Sequence, residues 1–178
     1  MTGSWYKSLY RFLLVMLLLF NCVFAHGQYA AKTEYWDNGK KKSVTPTRNG
    51  ILEGTARTWY ESGQIETKVE YLEGKPNGKT VTWYPTGKIK IIGYMNDDKK
   101  NGEWTLYYES GKIKATQRYN ERGEHGRWIT YFENGSIETD GQYFYGKKTG
   151  SWKTYDQYGK LIREEFYING KLTDTKNY

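Results

Sequence analysis

The sequence predicts an all-β fold: an elongated antiparallel β-hairpin repeat array with a 24-residue period, preceded by a signal peptide. Three observations carry this expectation. Aromatic residues make up 17 % of the 178 residues and Gly adds 20 more, while Pro contributes three. Tyr and Trp favour strands and Gly favours turns, so the composition reads as strand and turn. Two glycine columns recur at one constant spacing without a slip, Gly54, Gly78, Gly102, Gly126 and Gly150 in one, and Gly39, Gly63, Gly87, Gly111, Gly135 and Gly159 in the other. Between these glycines there is room for two short strands and two turns, and none for a helix.

The leader comes first. Residues 1–11 carry Lys7 and Arg11 and no acid, and Phe12–Phe20 reads FLLVMLLLF, with apolar character continuing to Ala25. A basic stretch, a short apolar run and small residues after it describe a secretory signal peptide over residues 1–27. The run is too short for a hydrocarbon core, which needs ~20 residues. Cleavage after Ala25 or Gly27 leaves a mature chain starting at His26 or Gln28 and without Cys. Phe20 and Asn21 before Cys22 are poor lipidation neighbours, so anchoring through Cys22 is not expected. The expected location is exported: periplasmic, cell-surface or secreted.

Residues 28–53 form a degenerate capping repeat that keeps Tyr35, Trp36 and Gly39 but carries Pro46. Five repeats follow at 54–77, 78–101, 102–125, 126–149 and 150–173, with a C-terminal tail over 174–178. In the unit from Gly102, Glu103–Tyr108 reads as an outgoing strand and Glu109-Ser110-Gly111-Lys112 as a turn. The glycine there supplies a positive φ without a Cβ clash. Ile113–Tyr119 reads as the return strand, with Ile113, Ala115, Gln117 and Tyr119 expected on one face. Trp104 and Tyr107 differ in parity, so either both faces carry aromatics or a bulge re-phases the strand. Gly93 and Gly141 sit inside return strands, where a neighbouring ring is expected to lie over each.

Little chemistry survives this bookkeeping. One Cys and two His cannot build a disulfide framework or a zinc cluster, so no metal and no cofactor is expected. His125 occupies the turn column of Asn77, Asn101 and Thr149, and Glu61, Glu109 and Glu133 recur beside turns, so neither reads as catalytic. Asn134-Gly135-Ser136 fits a glycosylation acceptor, but the repeat explains it as a turn. The Lys clusters 40–42, 99–100 and 147–148 alternate with acids, as on a solvated hairpin edge, and the net charge of +7 is spread along the chain. No nucleic acid partner is expected. The candidate binding surface is the aromatic set Trp59, Tyr60, Trp83, Tyr84, Trp104, Tyr107, Tyr108, Trp128, Tyr131, Phe132, Trp152 and Tyr155.

The unit Gly102-Glu103-Trp104-Thr105-Leu106-Tyr107-Tyr108-Glu109-Ser110-Gly111-Lys112-Ile113 resembles the bacterial variant of the MORN-type repeat, in arrays similar to the YwqK-family antitoxins. The resemblance runs over about residues 30–173. It implies an antiparallel β-ribbon that binds proteins, with anionic lipid as a further class of partner, and it supplies no catalytic residue. An antitoxin-like role sits uneasily with an exported chain. Choline- and glucan-binding repeats look similar around Trp59-Tyr60-Glu61-Ser62-Gly63, which makes a cell-wall glycan the alternative ligand. Their period is nearer twenty, and here it is 24. The expected function is a non-enzymatic binding or scaffold module.

Overall fold

The computed structural model describes residues 27–178, so the apolar leader and its cleavage sites lie essentially outside the described residues. Every element within them is a β-strand. Outgoing strands are β1 (Tyr29–Tyr35), β3 (Ile51–Leu52) continued by β4 (Gly54–Trp59), β6 (Lys75–Trp83), β8 (Lys99–Tyr107), β10 (Gly123–Glu124) continued by β11 (Gly126–Tyr131), β13 (Lys147–Tyr155) and β15 (Lys171–Asn177). Return strands are β2 (Lys41–Arg48), β5 (Ile65–Leu72), β7 (Ile89–Asn96), β9 (Ile113–Asn120), β12 (Ile137–Phe144) and β14 (Leu161–Ile168). They form one open antiparallel sheet in which each strand pairs with its sequence neighbours, from β1 at one edge to β15 at the other. At ~4.8 Å per strand this is a ribbon roughly 60 Å long. The stretch 174–177, read as tail from the sequence, belongs to β15, with Lys176 opposite Glu164 and Asn177 opposite Arg163.

Two kinds of turn alternate along the two long edges. After each outgoing strand before β15 the chain makes a three-residue loop. In the second hairpin Gly63 N–H donates to the Tyr60 carbonyl at 2.8 Å and Tyr60 N–H to the Gln64 carbonyl at 2.9 Å. The glycines that end these loops, Gly39, Gly63, Gly87, Gly111, Gly135 and Gly159, all have φ between 79° and 95°. That left-handed conformation is the one a three-residue hairpin loop needs at its last position. The opposite edge uses two-residue turns, most with both φ positive, as at Glu73-Gly74 (50°, 84°) and Asn169-Gly170 (51°, 83°); Glu121-Arg122 is the exception, with the positive φ on the following Gly123 (107°). Where both are positive, the twist of the turn matches the twist of the strands. These turns also stack: Gly74, Gly146 and Gly170 donate to the carbonyls of Leu52, Glu124 and Lys148, each in the preceding unit.

Bulges decide which side chains share a face. Thr105 is opposite Thr116 and Leu106 opposite Ala115, but Tyr107 is opposite Ile113, which leaves Lys114 as an extra residue on β9. The same shift recurs at Glu66, Lys90, Glu138 and Ile162. It corrects the expected return strand. Ala115, Gln117 and Tyr119 share a face, and the bulge sends Ile113 to the other one. The outgoing strand has a different irregularity. Ile92 is opposite Thr105 while Tyr94 is opposite Asn101, so Gly102 (φ 68°), Glu103 and Trp104 stand against the single residue Gly93, two more than the ladder needs. An even number of extra residues preserves alternation, so Trp104 and Tyr107 lie on opposite faces and both faces carry aromatics.

The core is correspondingly thin. Only Val81, Trp104, Ala115 and Ile129 are buried hydrophobics among the described residues. Each repeat covers its neighbours, and among the described residues no layer lies above or below the sheet.

Candidate functional site

The two faces are built differently. On one, which we call the ladder face, rings from outgoing and return strands interleave along the ribbon. Trp104, Tyr119, Trp128, Tyr143, Trp152 and Tyr167 follow one another at centroid separations of 6.3, 5.4, 4.7, 5.0 and 6.5 Å, mostly edge to face. Edge-to-face contact places the positive ring edge against the negative face of the next ring. Each indole N–H is also used: Trp104, Trp128 and Trp152 donate to the carbonyls of Tyr94, Arg118 and Gln142, all at 3.1 Å. Trp104 lies over Gly93 and Trp152 over Gly141, filling the space that a Cβ would occupy. That close approach is why these strands carry glycine. The ladder stops to the N-terminal side, where Thr80 and Ala56 stand in the tryptophan column.

Burial, and then the Glu124 carboxylate, push the Tyr119 and Tyr143 phenols above their ordinary pKa. Lys100 Nζ lies 4.6 Å from the Trp104 ring centre and 4.9 Å from that of Tyr119. Two rungs further on, Lys148 Nζ lies 4.3 Å from Trp152 and 4.8 Å from Tyr167.

A second aromatic column ties successive repeats together near the three-residue loops. The hydroxyls of Tyr60, Tyr84 and Tyr108 donate to the carbonyls of Trp83, Tyr107 and Tyr131 at 2.7, 2.8 and 2.6 Å. Trp36 Nε1–H does the same to the Trp59 carbonyl at 3.0 Å, so the degenerate first unit docks like the others. Phe132 occupies this column without a hydroxyl. Beyond it, Asn134 Nδ2 and Ser136 Oγ reach the Gln157 carbonyl at 2.7 and 2.9 Å. The asparagine of the Asn-Gly-Ser triplet is thus a loop-stacking group.

The other face is grooved. Trp83, Val81, Ile89 and Ile92 line a hollow of about 220 Å³ whose polar wall is Lys68, Glu70 and Lys79. A second, of about 210 Å³, lies between Glu103, Arg118 and Arg127, and a third, of about 310 Å³, between Arg127, Gln142 and Ser151. Arg127 clasps Asp140 with two hydrogen bonds of 2.9 and 2.7 Å. Trp59, Tyr107, Tyr131 and Tyr155 share the column of Trp83 on this face.

The proposed aromatic set therefore divides in three. Trp104, Trp128 and Trp152 belong to the ladder, Tyr60, Tyr84 and Tyr108 to inter-repeat hydrogen bonds with Phe132 in their column, and the Trp59 column to the grooved face. Sequence reasoning missed the polar groove residues, because a position that changes in every repeat leaves no periodic signal. It also missed a cluster on the two-residue-turn edge. There the His125 ring stacks on Tyr145 at 5.4 Å, Arg122 lies over Tyr145 at 4.7 Å, and Phe144 is 53 % exposed. Tyr145 holds φ at 50°, a conformation bulky residues avoid. Among the described residues no group of three or more His, Cys, Asp or Glu side chains is placed to hold a metal ion.

A search among curated proteins returned no match. The MORN repeat variant model matches residues 52–73, 76–97, 100–121, 124–144 and 148–178. Its segments start at the same constant spacing as the glycine columns and cover more than half of the chain, in phase with the hairpins described above; the chain belongs to the family of MORN repeat variant proteins.

Proposed function

We propose that this protein is a non-enzymatic, exported binding or scaffold module whose grooved face receives a protein partner. Membership of a repeat family used for protein interaction supports the general reading. The observation that carries the specific one is a contrast between columns. At the loop glycines, and in the ladder rings from the third repeat onward, equivalent positions repeat the same chemistry. On the grooved face one outgoing-strand column reads Thr55, Lys79, Glu103, Arg127, Ser151, and one return-strand column reads Glu70, Tyr94, Arg118, Gln142, Phe166. Positions that only hold repeats together have no reason to differ between repeats. Positions that read a non-repetitive surface do. Tyr94, 50 % exposed, and Arg118 are side chains of the types that dominate interface energetics.

Export rests on the basic and apolar leader. The antitoxin-like reading suggested by YwqK-family resemblance requires a cytoplasmic chain with its leader intact, and cell fractionation separates the two. A glycan ligand would stack on exposed rings and quench Trp fluorescence when soluble cell-wall glycan is added. The direct test is cross-linking of the mature chain in its own compartment, with identification of the partner and reconstitution from pure components. Tyr94→Ala/Arg118→Ala should weaken the reconstituted complex at least tenfold, while Lys112→Ala on a loop should not. Equal binding by all three proteins contradicts the grooved face as the docking surface.

A further inference from the structure

The ladder has three rungs built on the same ring positions, and the middle one differs at two places: Gln117 stands where Gly93 and Gly141 lie under a tryptophan, and an acid stands where the other two rungs carry a lysine. In the first, Lys100 is opposite Met95 and extends over Trp104 and Tyr119. In the third, Lys148 is opposite Tyr143 and extends over Trp152 and Tyr167. In the second, the same position is Glu124, opposite Tyr119, and the rings at the equivalent places are Trp128 and Tyr143. Those two rings form the closest pair in the ladder, 4.7 Å between centroids. Both are half-buried, as is Glu124. The Glu124 carboxylate has no hydrogen-bond or ion-pair partner among the described residues. It nonetheless lies near enough to Tyr119 and Tyr143 to raise the pKa of both phenols.

A Trp–Tyr pair presents negative ring faces, which attract a cation and not a carboxylate. Two rungs satisfy that attraction with the chain's own lysines. The middle rung brings the same rings together with an anion and, among the described residues, no cation over them. We propose that Trp128, Tyr143 and Glu124 form a binding site for an alkylammonium group, supplied by a lysine side chain of a partner protein. The precedent for a lysine is the array itself, which seats Lys Nζ 4.3–4.9 Å from equivalent rings on either side. Glu124 adds direct charge complementarity, so the site exceeds what rings alone provide. It lies on the face opposite the groove and stands or falls independently of the docking surface proposed above.

The site can be tested without knowing the partner. The mature chain, labelled with ¹⁵N, is titrated with Nα-acetyl-lysine amide, with choline, and with NaCl at matched ionic strength, following the indole N–H signals. A lone ammonium contact is weak, so half-saturation is expected at roughly 10–100 mM. The Trp128 signal should move saturably with the lysine amide, and the Trp104 and Trp152 signals should move much less because their rungs are filled. Glu124→Lys should fold, since lysine occupies this position in both neighbouring rungs, and should reduce the Trp128 response at least tenfold. Glu124→Gln should weaken it several-fold while preserving the shape of the rung. A response to choline alone would overturn the lysine source in favour of a quaternary ammonium ligand. No saturable response, or one unchanged in a folded Glu124→Lys protein, would overturn the site.

Discussion

Tyr60 donates its hydroxyl to the carbonyl of Trp83, in the next repeat, at 2.7 Å. The bond joins one three-residue loop to the end of the next outgoing strand, and Tyr84 and Tyr108 repeat it to Tyr107 and Tyr131. Neighbouring repeats are thus held by side chain to backbone bonds as well as by the strand ladder. Each Tyr→Phe change at 60, 84 or 108 should cost about 0.5–1.5 kcal/mol, since a half-buried carbonyl loses its donor. The reverse change, Phe132→Tyr, should add the missing bond to the Tyr155 carbonyl and stabilise by up to about 1 kcal/mol. Urea denaturation of the four single variants checks both signs.

Two glycines should fail for different reasons. Gly93 has Trp104 in its Cβ space, whereas Gly111 has nothing within 4 Å but a φ of 91°. Gly93→Ala should cost about 1–3 kcal/mol by displacing the ring, and should perturb near-UV ellipticity. Gly111→Ala should cost roughly 1–2 kcal/mol through backbone strain alone, with the aromatic signal intact. Gly111→Asn should recover part of that loss, because Asn tolerates the left-handed region. Equal costs for Ala and Asn at 111 would show that strain is not the cause.

The phenols give a pH signature. Burial first, with nearby carboxylates adding to it, raises the pKa of Tyr108, Tyr119 and Tyr143, and burial with the Glu165 hydrogen bond raises that of Tyr167. A group with a raised folded pKa holds its proton more tightly in the native state. Its contribution is complete below the unfolded value of about 10 and is lost as pH climbs through the folded value. Melting temperatures should therefore be level with respect to these groups up to about pH 9.5 and fall steeply above pH 10. Tyr119→Phe and Tyr143→Phe should each make that fall shallower.

Much of this molecule is legible in advance because a repeat multiplies weak signals. Gly111 alone says little, but six glycines at one fixed spacing define a loop, and a glycine inside a return strand, as at Gly93 and Gly141, points to a ring over a bare backbone, which the structure identifies as Trp104 and Trp152. What escapes reading depends on one residue at a time. The extra residue at Lys114 has no composition cue, since Glu66, Lys90, Glu138 and Ile162 fill the same place, so simple alternation puts Ile113 on the wrong face. Glu124, between Lys100 and Lys148 in a column that also holds Leu52, Pro76 and Leu172, looks like surface variation until the rings on either side are located. The grooved face is hidden for the opposite reason, because variation between repeats is what periodicity searches discard.

The central claim is that the fold is a linear array in which each unit touches only its neighbours. Deleting residues 102–125 removes one full period and joins Asn101 to Gly126, reproducing the existing Asn101–Gly102 junction. In the product Trp128 takes the place of Trp104 over Gly93, with Lys100 above it. The shortened chain should fold cooperatively, keep its far-UV spectrum per residue and melt a few degrees lower, as expected from losing one set of neighbour contacts. An unfolded or aggregated product would contradict the array, and with it the assignment of the two faces.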